Sequence, residues 1–106
     1  MVIYIDLDRT ICFPGLTKST AEDEVKYQIT IKGARKFIRK AKRQGHQIFI
    51  YTHRHPDLAS KTCDWLFKNK IKVDGIIFDK PKYDLFIDDK AYHFTNWTKL
   101  EKRFLK

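Results

Sequence analysis

Val2-Ile3-Tyr4-Ile5-Asp6-Leu7-Asp8-Arg9-Thr10 is a short apolar run followed by two aspartates. The β-branched and aromatic side chains of the run favour a strand of a parallel sheet, buried on both faces. In an extended chain, residues i and i+2 project to the same side. We therefore expect Asp6 and Asp8 to face one reacting centre at the end of this strand, with Leu7 packed away from it.

Three further apolar runs of the same kind predict strands: Gln47–Tyr51, Gly75–Phe78 and Tyr83–Ile87. Amphipathic patterns predict three helices: Gly33–Gly45, Asp57–Lys70 and Trp97–Leu105. The core face of the first helix is expected to hold Ala34, Phe37, Ile38 and Ala41. That of the second is expected to hold Leu58, Ala59, Thr62, Cys63, Leu66 and Phe67, with Trp65 near its edge.

This order of strands and helices is typical of a three-layer α/β/α, Rossmann-like fold with a mainly parallel sheet. The chain has 106 residues, 42% of them hydrophobic and 33% charged, which fits one globular domain over residues 1–106. No apolar run approaches the ~20 residues needed to cross a bilayer, and we do not expect the first run, which is cut short by Asp6, to be part of a leader. Two cysteines, Cys12 and Cys63, indicate packed thiols in a reducing compartment. We expect a soluble, cytoplasmic protein without membrane attachment.

The charge balance favours anionic partners. The chain has 22 Lys and Arg against 13 Asp and Glu, a formal net charge of +9. Such a balance attracts phosphorylated metabolites, nucleic acids or acidic membranes, although a lysine-rich surface can also serve only to solvate the protein. One stretch without an acidic residue carries Lys32, Arg35, Lys36, Arg39, Lys40, Lys42 and Arg43. No aromatic residues interleave with these charges as stacking platforms, which argues against a nucleic acid as the partner. Because one face of this helix must pack on the sheet, we expect Arg35, Arg39 and Arg43 to form the opposite, solvated face.

Polar residues follow each predicted strand, and ligands of open α/β sheets bind beyond the carboxyl ends of the strands. The four segments are Asp6–Thr10, Thr52–His55, Asp79–Lys82 and Asp88–Lys90. So many carboxylates at one edge would repel one another without a cation, and hard oxygen ligands favour Mg²⁺. A lysine and a threonine at the same edge offer a fixed charge and a hydroxyl donor to a phosphoryl group.

These segments resemble the haloacid dehalogenase (HAD) superfamily of phosphohydrolases. Asp6-Leu7-Asp8-Arg9-Thr10 is similar to the first family motif, DxDxT, and Thr52 stands where the second motif places its Thr or Ser. Lys80 matches the lysine of the third motif, and Asp88-Asp89 matches the paired acids of the fourth. The segment from Asp79 to Ala91 further resembles small members without a cap domain. The resemblance implies a HAD-like fold.

The resemblance also implies roles for these residues. Asp6 would attack phosphorus to give an aspartyl-phosphate, and Asp8 would act as general acid and then general base. Thr52 and Lys80 would contact the transferring phosphoryl group. Mg²⁺ would lie between Asp6, the backbone carbonyl of Asp8 and Asp88, with Asp89 as a ligand or as the partner of a ligand.

Other residues are candidates for substrate binding. Arg9 stands where the family commonly has glycine, so its side chain either enters the pocket mouth or points to solvent. Arg54 suits a phosphate or carboxylate of the substrate, the alternative being a solvated loop. Lys82 competes with Lys80 as the motif lysine, and we favour Lys80 because it is nearer the strand end. A zinc site at His53 and His55 would need further ligands that the sequence does not offer.

Ile11–Lys32 leaves room for a turn and a short flap but not for a cap domain, so the site is expected to be open. The leading prediction is a Mg²⁺-dependent phosphatase of a phosphorylated small molecule, a sugar phosphate or a nucleotide. One alternative is a phosphatase acting on nucleic-acid ends. Another is a non-enzymatic binding module with the same fold, although intact Asp6, Asp8 and Asp88 argue against it. The sequence does not indicate an oligomeric state.

Overall fold

The computed structural model describes residues 1–13 and 28–106. Its centre is a three-stranded parallel sheet, in which β4 (Gln47–Tyr51) lies between β1 (Val2–Ile5) and β5 (Gly75–Ile77). The register places Ile5 beside Ile50 and Tyr51 beside Ile77. The carboxyl ends of all three strands therefore meet at one edge of the sheet, as the predicted α/β class with a mainly parallel sheet requires.

A second, antiparallel pair follows β1. In it β2 (Cys12–Phe13) pairs with β3 (Ile29–Thr30), so that Cys12 lies opposite Thr30. The sequence predicted only a turn and a short flap over Ile11–Lys32. Within that range, residues 14–27 lie outside the part of the chain that the structure describes.

The three predicted helices are confirmed. They are α1 (Ala34–Arg43), α2 (Ala59–Lys68) and α3 (Trp97–Phe104), and a short 3₁₀ turn over Pro56–Leu58 leads into α2. The Asn96 side chain caps α3 by accepting a hydrogen bond from the backbone N–H of Lys99 at 2.9 Å. No helix within residues 1–13 and 28–106 is long and apolar enough to cross a membrane.

One face of the sheet packs against the helices. The expected core face of α1, with Ala34, Phe37, Ile38 and Ala41, is buried and joins Ile48 and Ile50 of the central strand in one apolar cluster. Trp65 and Leu66 of α2 belong to the same cluster, so α1 and α2 share one apolar core. The opposite face is open, since the side chain of Tyr4 lies on it and the residue is 55% exposed. The expectation that these strands are buried on both faces was therefore wrong.

The predicted strand at Tyr83–Ile87 is also wrong. The segment has no strand structure, and Leu85 and Ile87 are exposed. An apolar run of five residues favours extended backbone, but a strand also needs a neighbouring strand to pair with, and the run itself does not determine whether one is available. The segment therefore runs along the surface instead of joining the sheet.

The buried face of α2 differs from the predicted one. Thr62, Trp65 and Leu66 are buried, whereas Cys63 and Phe67 are exposed. Trp65, which was placed at the edge, lies inside, and its indole N–H donates to the carbonyl oxygen of Gln28 at 3.2 Å. The large indole ring and its buried hydrogen bond thus fix the rotation of the helix, and Phe67 points away from the core.

Asp74 joins α1 to the sheet. Its carboxylate accepts hydrogen bonds from Lys42 Nζ at 2.6 Å and from the backbone N–H of Ile48 at 2.7 Å. These bonds, the one from Lys42 first, hold the pKa of Asp74 below its ordinary value. The carboxylate therefore fixes the end of α1 next to the start of the central strand.

Two glycines flank α1 in left-handed backbone, with φ of +91° at Gly33 and +88° at Gly45. A Cβ on Gly33 would lie 2.7 Å from Trp97 Cβ, whereas a Cβ on Gly45 would meet nothing within 4 Å. Gly33 therefore serves both the turn and the close approach of α3, and Gly45 serves the turn alone.

We expect Gly45→Ala to lower the free energy of unfolding by about 1 kcal/mol, the strain of a left-handed alanine. Gly33→Ala should lower it by a further ~1–3 kcal/mol because Trp97 must shift. Urea unfolding of both variants measures the difference. Equal losses in the two variants would show that Trp97 does not pack against Gly33.

Candidate active site

Asp6 and Asp8 lie on either side of Leu7, which is fully buried. The Leu7 carbonyl accepts hydrogen bonds from the backbone N–H groups of Ile11 at 2.8 Å and Cys12 at 3.2 Å, which tightens the loop after β1. Asp6 Oδ1 accepts a hydrogen bond from the Leu7 backbone N–H at 2.8 Å. Arg9, at the tip of this loop, is exposed and has a left-handed backbone with φ of +64°. The loop thus presents both carboxylates at the edge of the sheet.

Arg54 is the most extensively bonded side chain at this edge. Its Nε and Nη2 atoms donate to the two carboxylate oxygens of Asp8 at 3.1 and 2.7 Å. Nη1 donates to Thr62 Oγ1 at 3.0 Å, and Nη2 also donates to Gln28 Oε1 at 2.6 Å. The side chain is only 8% exposed. The guanidinium is therefore held inside the protein, where it orients Asp8, and the alternative of a solvated loop does not describe it.

Thr52 and Lys80 lie side by side. The backbone N–H of Lys80 donates to the Thr52 carbonyl at 2.9 Å, which continues the pairing of the strands beyond their ends. Thr52 is buried, and its Oγ1 accepts a hydrogen bond from the Arg54 backbone N–H at 3.2 Å. The Lys80 ammonium lies over the ring of Tyr51 at 5.1 Å and over that of Tyr83 at 5.2 Å. Two aromatic faces thus hold this charge at the edge.

His53 has a position that sequence reasoning did not recognise, since its histidines were weighed only as zinc ligands. Its Nδ1 lies 2.7 Å from the Lys80 carbonyl oxygen. Because a carbonyl oxygen can only accept, Nδ1 carries the proton and Nε2 is left to exchange one. The imidazole lies 5.7 Å from the Tyr83 ring, measured between centroids. The signal in the sequence was its place one residue after the strand-end threonine.

A cavity of about 490 Å³ adjoins these groups and is lined by His53, Lys82, Tyr83 and Asp84. Lys82, the other candidate for the motif lysine, therefore lies in the wall of this cavity, whereas Lys80 is tied to Thr52. The cavity offers an ammonium, a carboxylate, an imidazole and a phenol ring to a neighbouring ligand.

Asp88 and Asp89 are exposed in the surface segment after residue 87, where Asp88 Oδ1 accepts a hydrogen bond from the Lys90 backbone N–H at 2.6 Å. Among the residues that the structure describes, no three His, Cys, Asp or Glu side chains are grouped as a metal site. Hydrogen bonds connect Asp8 to Arg54, Arg54 to Thr52 and Thr52 to the backbone of Lys80, but the structure does not add the second acidic pair. The reason is that the run before Asp88 does not join the sheet.

Cys12 contributes a neutral thiol. Burial raises its pKa to about 12, although the nearby Arg54 guanidinium acts in the opposite direction. Its Sγ lies 3.7 Å from the Leu7 carbonyl oxygen. The expectation of a packed thiol is therefore confirmed for Cys12, and it is wrong for Cys63, which is exposed.

The model of the glycerophosphoryl diester phosphodiesterase family matches residues 13–83, which are 71 of the 106 residues of the chain. The chain belongs to this family. The match includes Thr52, His53, Arg54 and Lys80 of the sheet edge. Asp6 and Asp8 precede the matched range and join the edge through the bonds between Asp8 and Arg54.

Two solved structures have a fold similar to that of this chain. A crystal structure of a target protein from Vibrio cholerae superposes with a TM-score of 0.68 at 18% identity, covering 95% of this chain and 94% of that one. A chain in the structure of a Pnkp1/Rnl/Hen1 complex superposes with a TM-score of 0.63 at 19% identity, covering 99% of this chain and 34% of that one. At these identities the similarity concerns the fold alone. No curated protein matches the chain.

Family membership corrects the reading of the strand-end motifs. The resemblance to the haloacid dehalogenase superfamily was wrong, since the family match extends over residues 13–83 and assigns another family. The predicted phosphomonoesterase with an aspartyl-phosphate intermediate is overturned with it, as is the alternative phosphatase of nucleic-acid ends. The physical reason is that acids, a threonine and a lysine at the ends of parallel strands suit many reactions of phosphate esters, so these residue types do not specify one of them.

We expect Arg54→Met to lower the free energy of unfolding by about 2–3 kcal/mol, because Asp8, Thr62 and Gln28 lose a charged hydrogen-bond partner. Arg54→Lys should recover only part of this loss, since an ammonium lacks the planar fork. Urea unfolding measures both variants, with the exposed Arg103→Met as the control. If Arg54→Met is as stable as the parent, Arg54 does not hold these elements together.

Proposed function

We propose that this protein is a phosphodiesterase that hydrolyses glycerophosphodiesters at the carboxyl edge of the three-stranded sheet. The observation that carries the proposal is the family match, which includes the residues at the ends of β4 and β5. The fold supports it, because the ends of all three parallel strands meet at this edge. The substrate is thus a phosphorylated small molecule with two ester bonds to phosphorus.

The charges at this edge suit a phosphodiester, which carries one negative charge. Lys80 supplies a positive charge whose position is fixed by Tyr51 and Tyr83. Lys82 adds a second charge in the wall of the cavity beside it. Arg54, in contrast, donates its hydrogen bonds to Asp8 and Thr62 of the protein itself. We therefore propose Lys80 and Lys82 as contacts to the phosphoryl oxygens, with Arg9 as a further contact from the tip of the loop, and Arg54 as the residue that positions Asp8.

Hydrolysis needs a group that moves protons. Water attacks phosphorus, one P–O ester bond breaks, and the departing alcohol oxygen gains a proton. His53 Nε2 suits this proton transfer, because the hydrogen bond from Nδ1 to the Lys80 carbonyl fixes the tautomer of the ring. We assign His53 to take the proton from the attacking water, and the exposed edge lets solvent protonate the alcohol. Thr52, buried beside Lys80, holds the turn through its Oγ1.

The carboxylates at the end of β1 have donor atoms that suit Mg²⁺. Asp8 keeps 41% of its side chain exposed although Arg54 binds both of its oxygens, and Asp6 uses one oxygen for the Leu7 backbone N–H. Mg²⁺ is commonly held by one or two carboxylates together with waters and substrate phosphate, so a third acid is not required. We propose that Asp6 and Asp8 hold Mg²⁺. A bound Mg²⁺ would supply positive charge to the phosphoryl oxygens.

The cavity beside His53 suits one alcohol substituent of the diester. Its volume of about 490 Å³ accommodates a small substituent, and His53, Lys82 and Asp84 in its lining offer hydrogen-bond partners to a hydroxylated one. A monoester lacks the second substituent and leaves this cavity to water. The arrangement therefore favours diesters over monoesters by contacts that only diesters make.

The first test compares glycerophosphocholine with glycerol 3-phosphate as substrates. We expect release of glycerol 3-phosphate or choline phosphate from the diester and little release of phosphate from the monoester. His53→Ala should lower kcat by ~10²–10⁴-fold, the usual contribution of a general base. The matched control is His93→Ala, an exposed histidine of the surface segment. Hydrolysis of the monoester alone, or full activity of His53→Ala, would contradict the proposal.

The second test concerns the metal. We expect EDTA to abolish diester hydrolysis and added Mg²⁺ to restore it, because two carboxylates at one edge bind a divalent ion in competition with the chelator. Asp6→Asn should raise the Mg²⁺ concentration needed for half-maximal activity by about tenfold or more, since one charged ligand becomes neutral. Asp64→Asn, an exposed acid of α2, should leave it unchanged. Full activity in EDTA would exclude a role for Mg²⁺.

A further inference from the structure

A groove along α1 carries a high density of positive charge. It encloses about 450 Å³ and shares no lining residue with the candidate active site. We call it the cationic groove. Its lining consists of Thr30, Ile31, Lys32, Gly33, Arg35, Lys36, Arg39 and Arg43. Five of these eight residues are Lys or Arg, and none is acidic.

The arginines of the groove form one stripe. Arg35, Arg39 and Arg43 are spaced by four residues, so they lie on one side of the helix and extend over about 12 Å along its axis. Like charges at this spacing repel one another and destabilise a helix. A stripe of three therefore has an unfavourable self-energy that a bound anion would remove.

Few of these charges are neutralised among the described residues. Lys36 Nζ lies 3.8 Å from Glu101 Oε2, and Lys40 Nζ lies 3.9 Å from Glu101 Oε1. The Lys36 side chain is exposed, whereas the Glu101 side chain is partly buried. Arg35 donates from Nε to the Asn69 carbonyl at 2.7 Å, which fixes its side chain but supplies no negative charge. Arg39 and Arg43 are exposed. The groove thus combines one anchored guanidinium with two on exposed residues.

We propose that the cationic groove binds a compact polyanion with two or more linked phosphate groups, the class of pyrophosphate and tripolyphosphate. Guanidinium groups bind phosphate oxygens in a bidentate manner, and three of them in a row match a row of phosphates. The concave shape favours a small ligand over a flat membrane surface. No aromatic ring lines the groove, so it lacks the stacking platform that binds the bases of a single-stranded nucleic acid.

This site is separate from the proposed hydrolysis, so the experiment measures binding first. Inorganic tripolyphosphate is titrated calorimetrically into the full chain at low salt, with orthophosphate as the comparison ligand. We expect tripolyphosphate to bind and orthophosphate to bind at least about tenfold more weakly, because fewer charged hydrogen bonds form. Arg39→Gln/Arg43→Gln should weaken tripolyphosphate binding by about tenfold or more for the same reason.

The control is Lys61→Gln/Lys68→Gln, which removes the same charge from two exposed positions of α2. We expect this variant to bind tripolyphosphate within about twofold of the parent, since charges outside the groove act only through screened, long-range attraction. If both double variants lose the same amount of affinity for tripolyphosphate, net charge alone explains the loss, and the proposal is overturned. Equal affinities for orthophosphate and tripolyphosphate would also overturn it.

Two further arms distinguish other ligands. A single-stranded oligonucleotide, or a vesicle with phosphatidylglycerol, that binds through Arg39 and Arg43 while tripolyphosphate does not bind would overturn the assignment to a compact polyanion. With no polyanion present and at physiological ionic strength, which screens long-range attraction, diester hydrolysis by the Arg39→Gln/Arg43→Gln variant should stay within about twofold of the parent. This arm separates a failure of the groove from a failure of the proposed phosphodiesterase.

Discussion

The guanidinium of Arg54 holds together elements that are distant along the chain. It extends from the segment after the central strand to Asp8 after β1, to Thr62 of α2, and to Gln28 at the start of β3. A buried cation is tolerated only where acceptors surround it, because the free energy of taking it out of water is large. The positions of these acceptors are therefore fixed by one side chain. Loss of any one acceptor leaves the buried guanidinium with fewer hydrogen bonds.

The active-site proposal depends on this constraint. Asp8 is oriented by a bidentate ion pair instead of by its own loop, whose tip at Arg9 has a left-handed backbone. On the other side of the central strand, Lys80 is fixed by its backbone bond to Thr52, and His53 is fixed by the Lys80 carbonyl. The acid and the base groups are thus positioned by backbone and by a buried cation, which keeps the edge ordered while its outer side stays open to substrate.

Local sequence patterns were sufficient to predict some strands and helices but not others. The strands at Val2–Ile5 and Gln47–Tyr51 follow from their apolar composition and the core face of α1 follows from its helical period, because each pattern is contained in the segment itself. The segment at Tyr83–Ile87 and the rotation of α2 depended on partners far along the chain, namely a strand to pair with and the Gln28 carbonyl that binds Trp65. Periodicity contains no information on such partners.

The site shows the same division. Asp6, Asp8, Thr52 and Lys80 could be placed at one edge from their positions after predicted strands, but the residues that tie them together could not. Arg54 was interpreted as a ligand for substrate because its planar fork suits phosphate or carboxylate, and only the acceptors around it in the structure show that it binds groups of the protein instead. The family was misjudged for a related reason. A few strand-end residues indicate that a phosphate ester is bound, whereas the match over residues 13–83 reflects many positions of the fold.

The cationic groove begins near the edge of the sheet that carries the proposed active site. Thr30 at one end of the cationic groove pairs with Cys12, and Cys12 forms a bridge with Asp8 at the edge of the sheet. Two strand spacings amount to about 10 Å, which is near the Debye length at physiological ionic strength. Charges of the groove that lie farther along α1 are therefore largely screened from Lys80 at that ionic strength. The two sites share no side chain, and the coupling between them is electrostatic and weakens as salt is added.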